Sequence, residues 1–430
     1  MNNVNDLIRF LSESPCNVFA VKTVAGMLEE AGFSRLDPRK AWTLTPGSKR
    51  YVIKNNSALF AFVVGSDPSK GWHIISSHSD SPGFRIKPHA EMLVADSLLK
   101  LNTEVYGGPI LYTWFDRPLS IAGRVFRRSS GDVFNPECVL VKWDEPLLTI
   151  PHLAIHYNRQ VNDGNKLSKQ KDMLPVIAKI NDKLEKDNFL LKLISKKTGI
   201  PVEDIADFDL TLYDVTPACR VGVEGEFISG SRLDDLMMVH ASVRAMLNSC
   251  DRPSEYTRVI AIFDNEETGS GTKQGAASPV LHNLLRRITH ALSGDEESFY
   301  RAIDNSFMIS ADNAHALHPN YVEKQDPTNH PLPGNGPVIK INANCKYMTD
   351  ADSASVFEGI CRAAGVPVQY FVNHSDSVGG STLGNILTSQ IDLRGVDMGA
   401  AQWAMHSCRE TAGTADVDYI IGAFTLFLQF

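Results

Sequence analysis

Several short apolar runs in this sequence end in polar residues that can bind metal ions. The run 259–263 leads directly into Asp264-Asn265-Glu266-Glu267, and the run 307–309 is followed closely by Asp312. A continuous apolar run of this length is typical of a strand buried on both faces of a sheet. Segments of helical period, such as residues 18–31, alternate with these runs. The pattern predicts a layered α/β fold with a central, mostly parallel sheet and a functional site beyond the carboxyl ends of its strands.

Two imidazoles and three carboxylates stand out as candidate metal ligands, because each lies in a short polar segment beside an apolar run. They are His78, Asp234, Glu267, Asp312 and His406. Such a set suits two divalent cations, since one shared carboxylate can bridge them while the other ligands complete each site. The sequence therefore predicts hydrolysis by a metal-activated water.

Two further acidic residues gain a role from their neighbours. Asp80 is placed to accept the free imidazole N–H of a metal-bound His78 and so to fix its orientation. Glu266 and Glu267 point in different directions because they are adjacent, so one can bind metal while the other faces the water. A capped surface turn at His78 and a solvated strand end at Glu266 are the alternatives without function.

A second copy of the first motif leaves the choice of ligand open. His374-Ser375-Asp376-Ser377 repeats the letters of His78-Ser79-Asp80-Ser81, and spacing cannot distinguish the two. The neighbouring Gly379 and Gly380 favour a loop that offers backbone N–H groups to a substrate. His315 and His318, three residues apart, fit a structural role as well as a metal site.

Composition excludes several classes of function. The chain has 430 residues and a net charge of -8, with no long basic run, so nucleic acid is not an expected partner. No stretch approaches the ~20 apolar residues of a membrane span. Residues 1–11 do not read as a secretory signal, and the seven dispersed cysteines favour a reducing compartment. We expect a cytoplasmic protein.

The order of the ligands along the chain predicts an insertion. Strands are expected at 110–115, 119–126 and 138–143, with a helix at 174–197, so that residues 87–230 form a β-rich domain. A helix at 232–248, capped by Ser231, would carry Asp234 in its first turn. Because ligands precede and follow the insertion, residues 1–86 and 231–430 are predicted to form one discontinuous catalytic domain.

Taken together, eight motifs in register resemble the aspartyl aminopeptidases, a family of dinuclear zinc exopeptidases. The motifs are His78-Ser79-Asp80-Ser81-Pro82-Gly83-Phe84, Tyr106-Gly107-Gly108, Trp114-Phe115-Asp116-Arg117, Pro151-His152-Leu153-Ala154-Ile155-His156, Arg232-Leu233-Asp234, Asp264-Asn265-Glu266-Glu267, Ser310-Ala311-Asp312 and Met405-His406-Ser407. The resemblance covers nearly the whole chain.

This resemblance implies a role for each candidate residue. Asp234 would bridge two zinc ions, with His78 and Asp312 completing one site and Glu267 and His406 the other, while Glu266 would be the general base. Manganese or cobalt could substitute for zinc. The inserted domain would drive assembly into a tetrahedral homododecamer, and His156 would reach the active site of a neighbouring subunit.

The resemblance also implies that the substrates are peptides with a free N-terminus and that Asp or Glu is preferred there. Lys340, Lys346 and Tyr347 would line the pocket for that side chain. The sequence departs from the family at Asp235, where Asn is common, and at Lys346, where Arg can occur. A dinuclear carboxypeptidase or deacylase is the alternative from the same chemistry, and an inactive assembly shell is the alternative without it.

Overall fold

The computed structural model describes residues 2–128, 131–180, 188–292 and 294–430. Two compact units can be distinguished. The first comprises the chain up to Asp80 together with Ala218–Met405 and Glu410–Phe430, and the second comprises Ser81–Pro217 and His406–Arg409. The sequence had placed the limits of the inserted domain at residues 87 and 230. Among the described residues, no helix has the length and apolar character needed to cross a bilayer.

Helices and strands are numbered along the whole chain. The helices are α1 Asn3–Glu13, α2 Asn17–Glu30, α3 Phe189–Thr198, α4 Leu233–Ser249, α5 Val280–Ala291, α6 Glu296–Asp304, α7 Ala351–Ala364, α8 Leu383–Thr388 and α9 Thr414–Gln429. The strands are β1 Ser34–Arg35, β2 Lys49–Lys54, β3 Ala58–Val63, β4 Trp72–His78, β5 Gly83–Val94, β6 Leu98–Tyr106, β7 Leu119–Arg127, β8 Glu137–Lys142, β9 Val176–Lys179, β10 Ile205–Asp214, β11 Cys219–Val221, β12 Phe227–Gly230, β13 Thr257–Phe263, β14 Phe307–Ala311, β15 Ala314–His315, β16 Val338–Ile341, β17 Gln369–Val372, β18 Gly395–Gly399, β19 Ala401–Trp403 and β20 Glu410–Gly413.

A nine-stranded sheet organises the first unit, in the order β1-β2-β3-β13-β4-β14-β18-β16-β17. Its central strands β13, β4, β14 and β18 are parallel to one another. Phe263 pairs with His78, and Ser310 pairs with Ser76. The register therefore brings the residues that follow β13, β4 and β14 to one edge of the sheet. The predicted fold class, an α/β protein with a mostly parallel central sheet, is confirmed.

Both faces of this sheet are buried, which explains why its strands have no polar alternation. Along β13, Ile260 and Ile262 pack on one side, where α1, α2, α4, α7 and α9 supply the core. Val259, Ala261 and Phe263 pack on the other side with residues from α5, α6 and α8. A smaller five-stranded sheet, β11-β12-β20-β19-β15, completes the unit.

The second unit is built on a six-stranded sheet in the order β8-β7-β10-β5-β6-β9, whose neighbouring strands are antiparallel. Its own core includes Phe84, Trp114, Ile121 and Leu210, together with Leu190 and Ile194 from α3. The predicted β-rich character of this part of the chain matches these strands.

Some of the local predictions agree with the structure and others do not. The helix predicted at 18–31 is α2, and the strands predicted at 119–126 and 138–143 are β7 and β8. The strand at 110–115 was wrong, because Leu111–Trp114 forms a 3-10 turn. A six-residue apolar run does not distinguish these two structures.

The helix predicted at 174–197 was also wrong in its first part. Residues 176–179 form β9, which pairs with β6, and the helix α3 begins only at Phe189. The part of the prediction that covers residues 181–187 lies outside the described residues. Edge pairing with β6 decides the conformation of 176–179, and it involves residues too distant in sequence for a local pattern to show.

Candidate metal centre

The end of β4 places His78 among acidic side chains. Its Nδ1 lies 3.0 Å from the backbone oxygen of Asp80 and 3.3 Å from Asp80 Oδ1. Its Nε2 faces Asp234, with 3.6 Å to Oδ1. An imidazole that donates from Nδ1 keeps the lone pair of Nε2 for a metal. The predicted orienting role of Asp80 therefore has the geometry it requires.

Asp80 also organises the acidic loop that follows β13. Its Oδ1 accepts the backbone N–H of Glu266 at 3.1 Å, and its Oδ2 accepts that of Glu267 at 3.2 Å. Asn265 has a left-handed backbone, with φ of 63°, and starts the tight turn Glu266–Thr268. This conformation suits Asn better than most side chains. One carboxylate thus fixes both His78 and the two glutamates.

The start of α4 departs from the capped helix that the sequence predicted. Arg232 takes a left-handed backbone at the N-terminal boundary, and no side chain caps the helix there, so the predicted cap by Ser231 was wrong. Asp234 and Asp235 have non-helical backbone angles, and the peptide bond between them is cis. The Asp234 N–H donates to Glu410 Oε2 at 2.9 Å instead of to a capping hydroxyl.

Asp235 belongs to the same cluster. Its Oδ2 accepts the backbone N–H of His78 at 3.1 Å, and the residue is fully buried. The sequence had identified Asp235 only as a departure from a family pattern. The structure shows that its carboxylate also tethers the end of β4 to the start of α4.

Asp312 follows β14 and lies beside the ammonium group of Lys340. Lys340 Nζ lies 3.5 Å from Asp312 Oδ2 and donates to the backbone oxygen of Asn313 at 3.0 Å. Lys340 is only 3% exposed, so this ammonium is held against the ligand candidate. Tyr347 is also buried, with its ring 5.5 Å from Lys340 Nζ. Lys346, in contrast, is exposed.

Two overlapping groups of ligand atoms meet at His78. Atoms of His78, Asp234, Asp235 and Asp312 lie within 4.8 Å of one another, and so do atoms of His78, Glu266 and Glu267. Burial and the neighbouring carboxylates raise the pKa of Asp235 and of Glu267 well above their usual values. Burial, with the same carboxylates, raises the pKa of Glu266 to about 8.

A bound metal ion would offset the negative charge of this cluster. Burial opposes a charge on His78, yet the carboxylates of Asp235, Asp234 and Asp80 outweigh it and raise its pKa. Burial also raises the pKa of Asp312, although Lys340 acts in the opposite direction. Imidazole nitrogen and carboxylate oxygen are ligands that zinc accepts. The residues present therefore fit a divalent cation, which would lower the energy of every carboxylate in the cluster.

Burial distinguishes the two copies of the repeated motif. The side chain of His78 is 1% exposed and lies in both ligand groups, whereas that of His374 is 32% exposed and pairs at 4.0 Å with an exposed Asp376. Among the described residues, the ligand groups include neither His374 nor His315 and His318. Burial and the positions of the ligand atoms therefore favour His78 over His374 as a candidate ligand.

Each of the remaining predicted site residues has its own environment within the unit to which it belongs. His406 begins the segment His406–Arg409 of the second unit, where its Nδ1 lies 3.2 Å from the backbone oxygen of Gly108. His156 is exposed in the same unit. Gly379 and Gly380 belong to a largely exposed loop of the first unit, where a side chain at position 379 would collide with Asn373 at 2.7 Å.

Sequence reasoning missed two buried carboxylates that hold the site loops. Glu410 accepts the Asp234 N–H, and Asp397 accepts the Thr382 hydroxyl at 2.7 Å and the Met348 N–H at 2.6 Å. Asp397 thus joins the loop after Gly380 to the segment that carries Tyr347. A lone acidic residue inside the apolar strand β18 was the available signal for Asp397. No local pattern marks Glu410.

Comparisons with known proteins agree on one group of enzymes. The profile of the family described as aminopeptidase I zinc metalloprotease (M18) matches residues 10–428. The chain is 51% identical over 423 residues to a probable M18 family aminopeptidase 2 of Clostridium acetobutylicum, covering 98% of this chain and 97% of that protein. A protein of the same name from Pseudomonas aeruginosa is 40% identical over 425 residues, covering 97% and 96%.

Solved structures show the same relationship. The cryo-EM structure of the Ape4 and Nbr1 complex matches with a TM-score of 0.95 and 34% identity, covering 100% of this chain and 85% of that chain. The S. cerevisiae mApe1 dodecamer matches with a TM-score of 0.86 and 27% identity, covering 99% and 95%. Fold and sequence therefore point to the same family over nearly the full length.

Proposed function

The chain belongs to the aminopeptidase I zinc metalloprotease family (M18) and is a zinc aminopeptidase, and from this premise we propose that it works with two zinc ions per subunit and favours N-terminal Asp or Glu. The observation that carries the two-metal part is the buried cluster around His78, where two groups of ligand atoms share one imidazole. Clustered carboxylates of this kind are costly unless cations neutralise them.

The proposed ligand set follows from that cluster and from the family. Asp234 would be shared by both ions, His78 and Asp312 would hold one of them, and Glu267 and His406 would hold the other. His78, Asp234 and Asp312 belong to one group of neighbouring ligand atoms, which supports the first site. Manganese or cobalt could occupy the same ligands, because imidazole and carboxylate do not select strongly among these metals.

Zinc, when bound, supplies Lewis acidity for the water and the scissile carbonyl. The chain contributes the proton transfers. In this proposal Glu266 accepts a proton from the attacking water on a carboxylate oxygen and then gives it to the leaving amine. Asp80 holds the Glu266 and Glu267 backbone, as its bonds of 3.1 and 3.2 Å indicate, so that the two side chains keep their separate roles.

Substrate selection is proposed to depend on the free α-amine and on the first side chain. Lys346 is the exposed cation available to an acidic side chain, whereas Lys340 already contacts Asp312. Tyr347 lies beside Lys340, and backbone N–H groups at Gly379 and Gly380 would bind the peptide. A charge-assisted hydrogen bond from a lysine is the physical basis of the proposed acidic preference.

Assembly is part of the same proposal. Residues 87–230 are proposed to form an inserted oligomerisation domain that builds a homododecamer, with His156 completing the site of a neighbouring subunit. The dodecameric state of the similar mApe1 structure supports this. A cytoplasmic location is proposed because the dispersed cysteines suit a reducing compartment.

Blocked substrates test the reaction. Purified protein of known zinc content should hydrolyse Asp-amide peptides with a free α-amine and should not cleave the same peptides after N-acetylation. Activity should disappear with a chelator and return with added zinc, and metal analysis should give two ions per subunit. Removal of C-terminal residues or of the acetyl group would instead indicate a carboxypeptidase or a deacylase. Metal-loaded protein without turnover would indicate an assembly shell.

A further inference from the structure

A second concave site lies in the first unit, among residues that play no part in the metal cluster. The cavity has a volume of about 250 Å³. Its lining comes from β2, β3, the segment before α5, α5 itself and residues 38–42. The charged lining residues are Lys54, Lys273 and Arg287, and the apolar ones include Trp42, Val280 and Leu284.

One wall of the cavity is a rigidly held guanidinium. Arg287 donates from one Nη to the Pro38 backbone oxygen at 2.8 Å and from the other to the Lys40 backbone oxygen at 2.7 Å. Its Cζ lies 3.7 Å from the centroid of the Trp42 ring. Stacking and two hydrogen bonds fix the orientation of Arg287, and a fixed cation loses little entropy when it binds an anion.

The cavity collects positive charge without a matching carboxylate. Lys54, Lys273 and Arg287 line it, and no Asp or Glu is among the lining residues. Within the part of the chain that the structure describes, none of these three cations has a carboxylate at ion-pair distance. Burial and the charge of Arg287 lower the pKa of Lys54. Like charges held together in this way favour an anion as their partner.

The remaining walls are apolar. Trp42 is half-buried, and Val280 and Leu284 keep 9% and 5% of their surface exposed, whereas Phe60 and Val52 have no exposed surface. An inorganic anion would leave this surface in water, whereas an anion with an aromatic or aliphatic body would cover it. Ligand sites commonly combine an apolar lining with a few charged groups that fix orientation.

We propose that this cavity binds small ligands in which a free carboxylate stands beside an apolar side chain. An N-blocked amino acid and the C-terminus of a peptide share that chemistry. The carboxylate would contact Lys54, Lys273 and Arg287, and the apolar group would lie against Val280, Leu284 and Trp42. This site is separate from peptide hydrolysis, since it requires neither a metal nor a free α-amine.

Calorimetric titration of the intact, zinc-loaded protein tests the proposal with matched probes. N-acetylphenylalanine carries the carboxylate, and N-acetylphenylalanine amide differs only in lacking it. We expect the acid to bind at least about tenfold more tightly than the amide, as for one charge-assisted contact. An N-acetylated peptide ending in Phe shows whether a peptide C-terminus is the better ligand, and both results agree with the proposal.

Paired variants locate the binding. Lys54→Met with Lys273→Met should remove the preference for the acid over the amide, whereas Lys196→Met with Lys197→Met, which removes the same charge from exposed residues of α3, should keep it. Both double variants should retain hydrolysis of free N-termini, so this test is independent of the proposed reaction. Equal binding of acid and amide, an unchanged preference in the first variant, or phosphate binding as tightly as N-acetylphenylalanine would overturn the proposal.

Discussion

Two buried clusters of charged side chains lie along α4. One contains mainly carboxylates, and in the other a carboxylate is paired with basic side chains. Near the N-terminal end of the helix, Asp234 and Asp235 lie with other carboxylates around His78. Further along, His240 and Arg244 both contact Asp6 of α1, with His240 Nε2 at 2.8 Å from Asp6 Oδ2. Arg9 adds a third contact to Asp6, at 2.5 Å.

The pKa directions express this difference. Burial disfavours the charge of Asp6, yet His240 and Arg244 outweigh it and lower its pKa to about 2. Burial and neighbouring carboxylates instead raise the pKa of Glu266 to about 8. The Asp6 cluster is neutralised by the protein itself and needs nothing more. The His78 cluster contains Asp234, Asp235, Glu266, Glu267 and Asp312, and Lys340 contacts only Asp312 among them. This excess of carboxylates is the physical mark of a site that binds cations.

The largest effect should come from removing the carboxylate proposed to serve both metals. Asp234→Ala should lower metal content at both positions and abolish turnover, because no other side chain is proposed to neutralise two cations. His78→Ala and His406→Ala should each empty mainly one position. Metal analysis per subunit, beside circular dichroism to verify folding, makes the comparison. Equal single-site losses in the three variants would contradict a bridge at Asp234.

Replacing the proposed general base should slow the reaction without changing metal binding. Glu266→Gln keeps the shape of the side chain but cannot accept the proton of the water, so kcat should fall ~10² to 10⁴-fold while metal content stays constant. Stopped assays beside zinc analysis measure both quantities. The matched change Glu267→Gln should reduce metal content as well. Near wild-type activity of Glu266→Gln, or a parallel loss of metal, would remove Glu266 from this role.

Much of the His78 cluster could be predicted because one local rule produces it. Parallel buried strands deliver the residues that follow them to the same edge, and the pairing of Phe263 with His78 makes Glu266 and His78 neighbours although they are 188 positions apart. The rule needs only an apolar run and a polar successor, both of which are visible in the sequence.

The contacts that steady the cluster could not be predicted in that way. The bond from Asp234 to Glu410 joins residues 176 positions apart, and only the pairing of β20 with β12 brings Glu410 close. The sequence identifies Lys340 as a candidate substrate-binding residue. It does not show that the ammonium group contacts Asp312, because the fold creates that contact. Strand β9 was misjudged for the same reason, because its partner β6 is distant in sequence.

Lys346 and Lys340 offer a test with a smaller and more specific expected effect. Lys346→Met should reduce kcat/KM for Asp and Glu substrates by roughly one to two powers of ten and spare Leu substrates, as expected for a lost contact of ~1.5 to 3 kcal/mol. Lys340→Met should reduce kcat/KM for all substrates together, because Lys340 holds Asp312. Measurements of kcat/KM with Asp-, Glu-, Leu- and Met-amides for both variants and the unaltered enzyme test this difference. Faster cleavage of Leu than of Asp by the unaltered enzyme would contradict acidic preference and leave the aminopeptidase reaction intact.

The smallest effect is expected at the balanced cluster, where a change should alter stability and leave turnover intact in the folded enzyme. The pKa of Asp6 in the folded chain, about 2, lies below the ordinary value of 3.8 for an aspartate, so its stabilisation is present above pH 4 and is lost as the pH falls towards 2. The shift corresponds to about 2 kcal/mol in the free energy of unfolding. Asp6→Asn should therefore be less stable than the unaltered protein at neutral pH, and the difference should shrink between pH 4 and pH 2.

Urea unfolding of both proteins at several pH values measures that difference. Arg9→Met is the control, because Arg9 is 57% exposed and its contact with Asp6 should contribute at most about 1 kcal/mol. A difference between Asp6→Asn and the unaltered protein that stays constant from pH 7 to pH 2 would contradict an ionised Asp6 in the folded state. Since Asp6 is 4% exposed and bonded to His240, such a result would mean that α1 and α4 are held together by packing and not by charge.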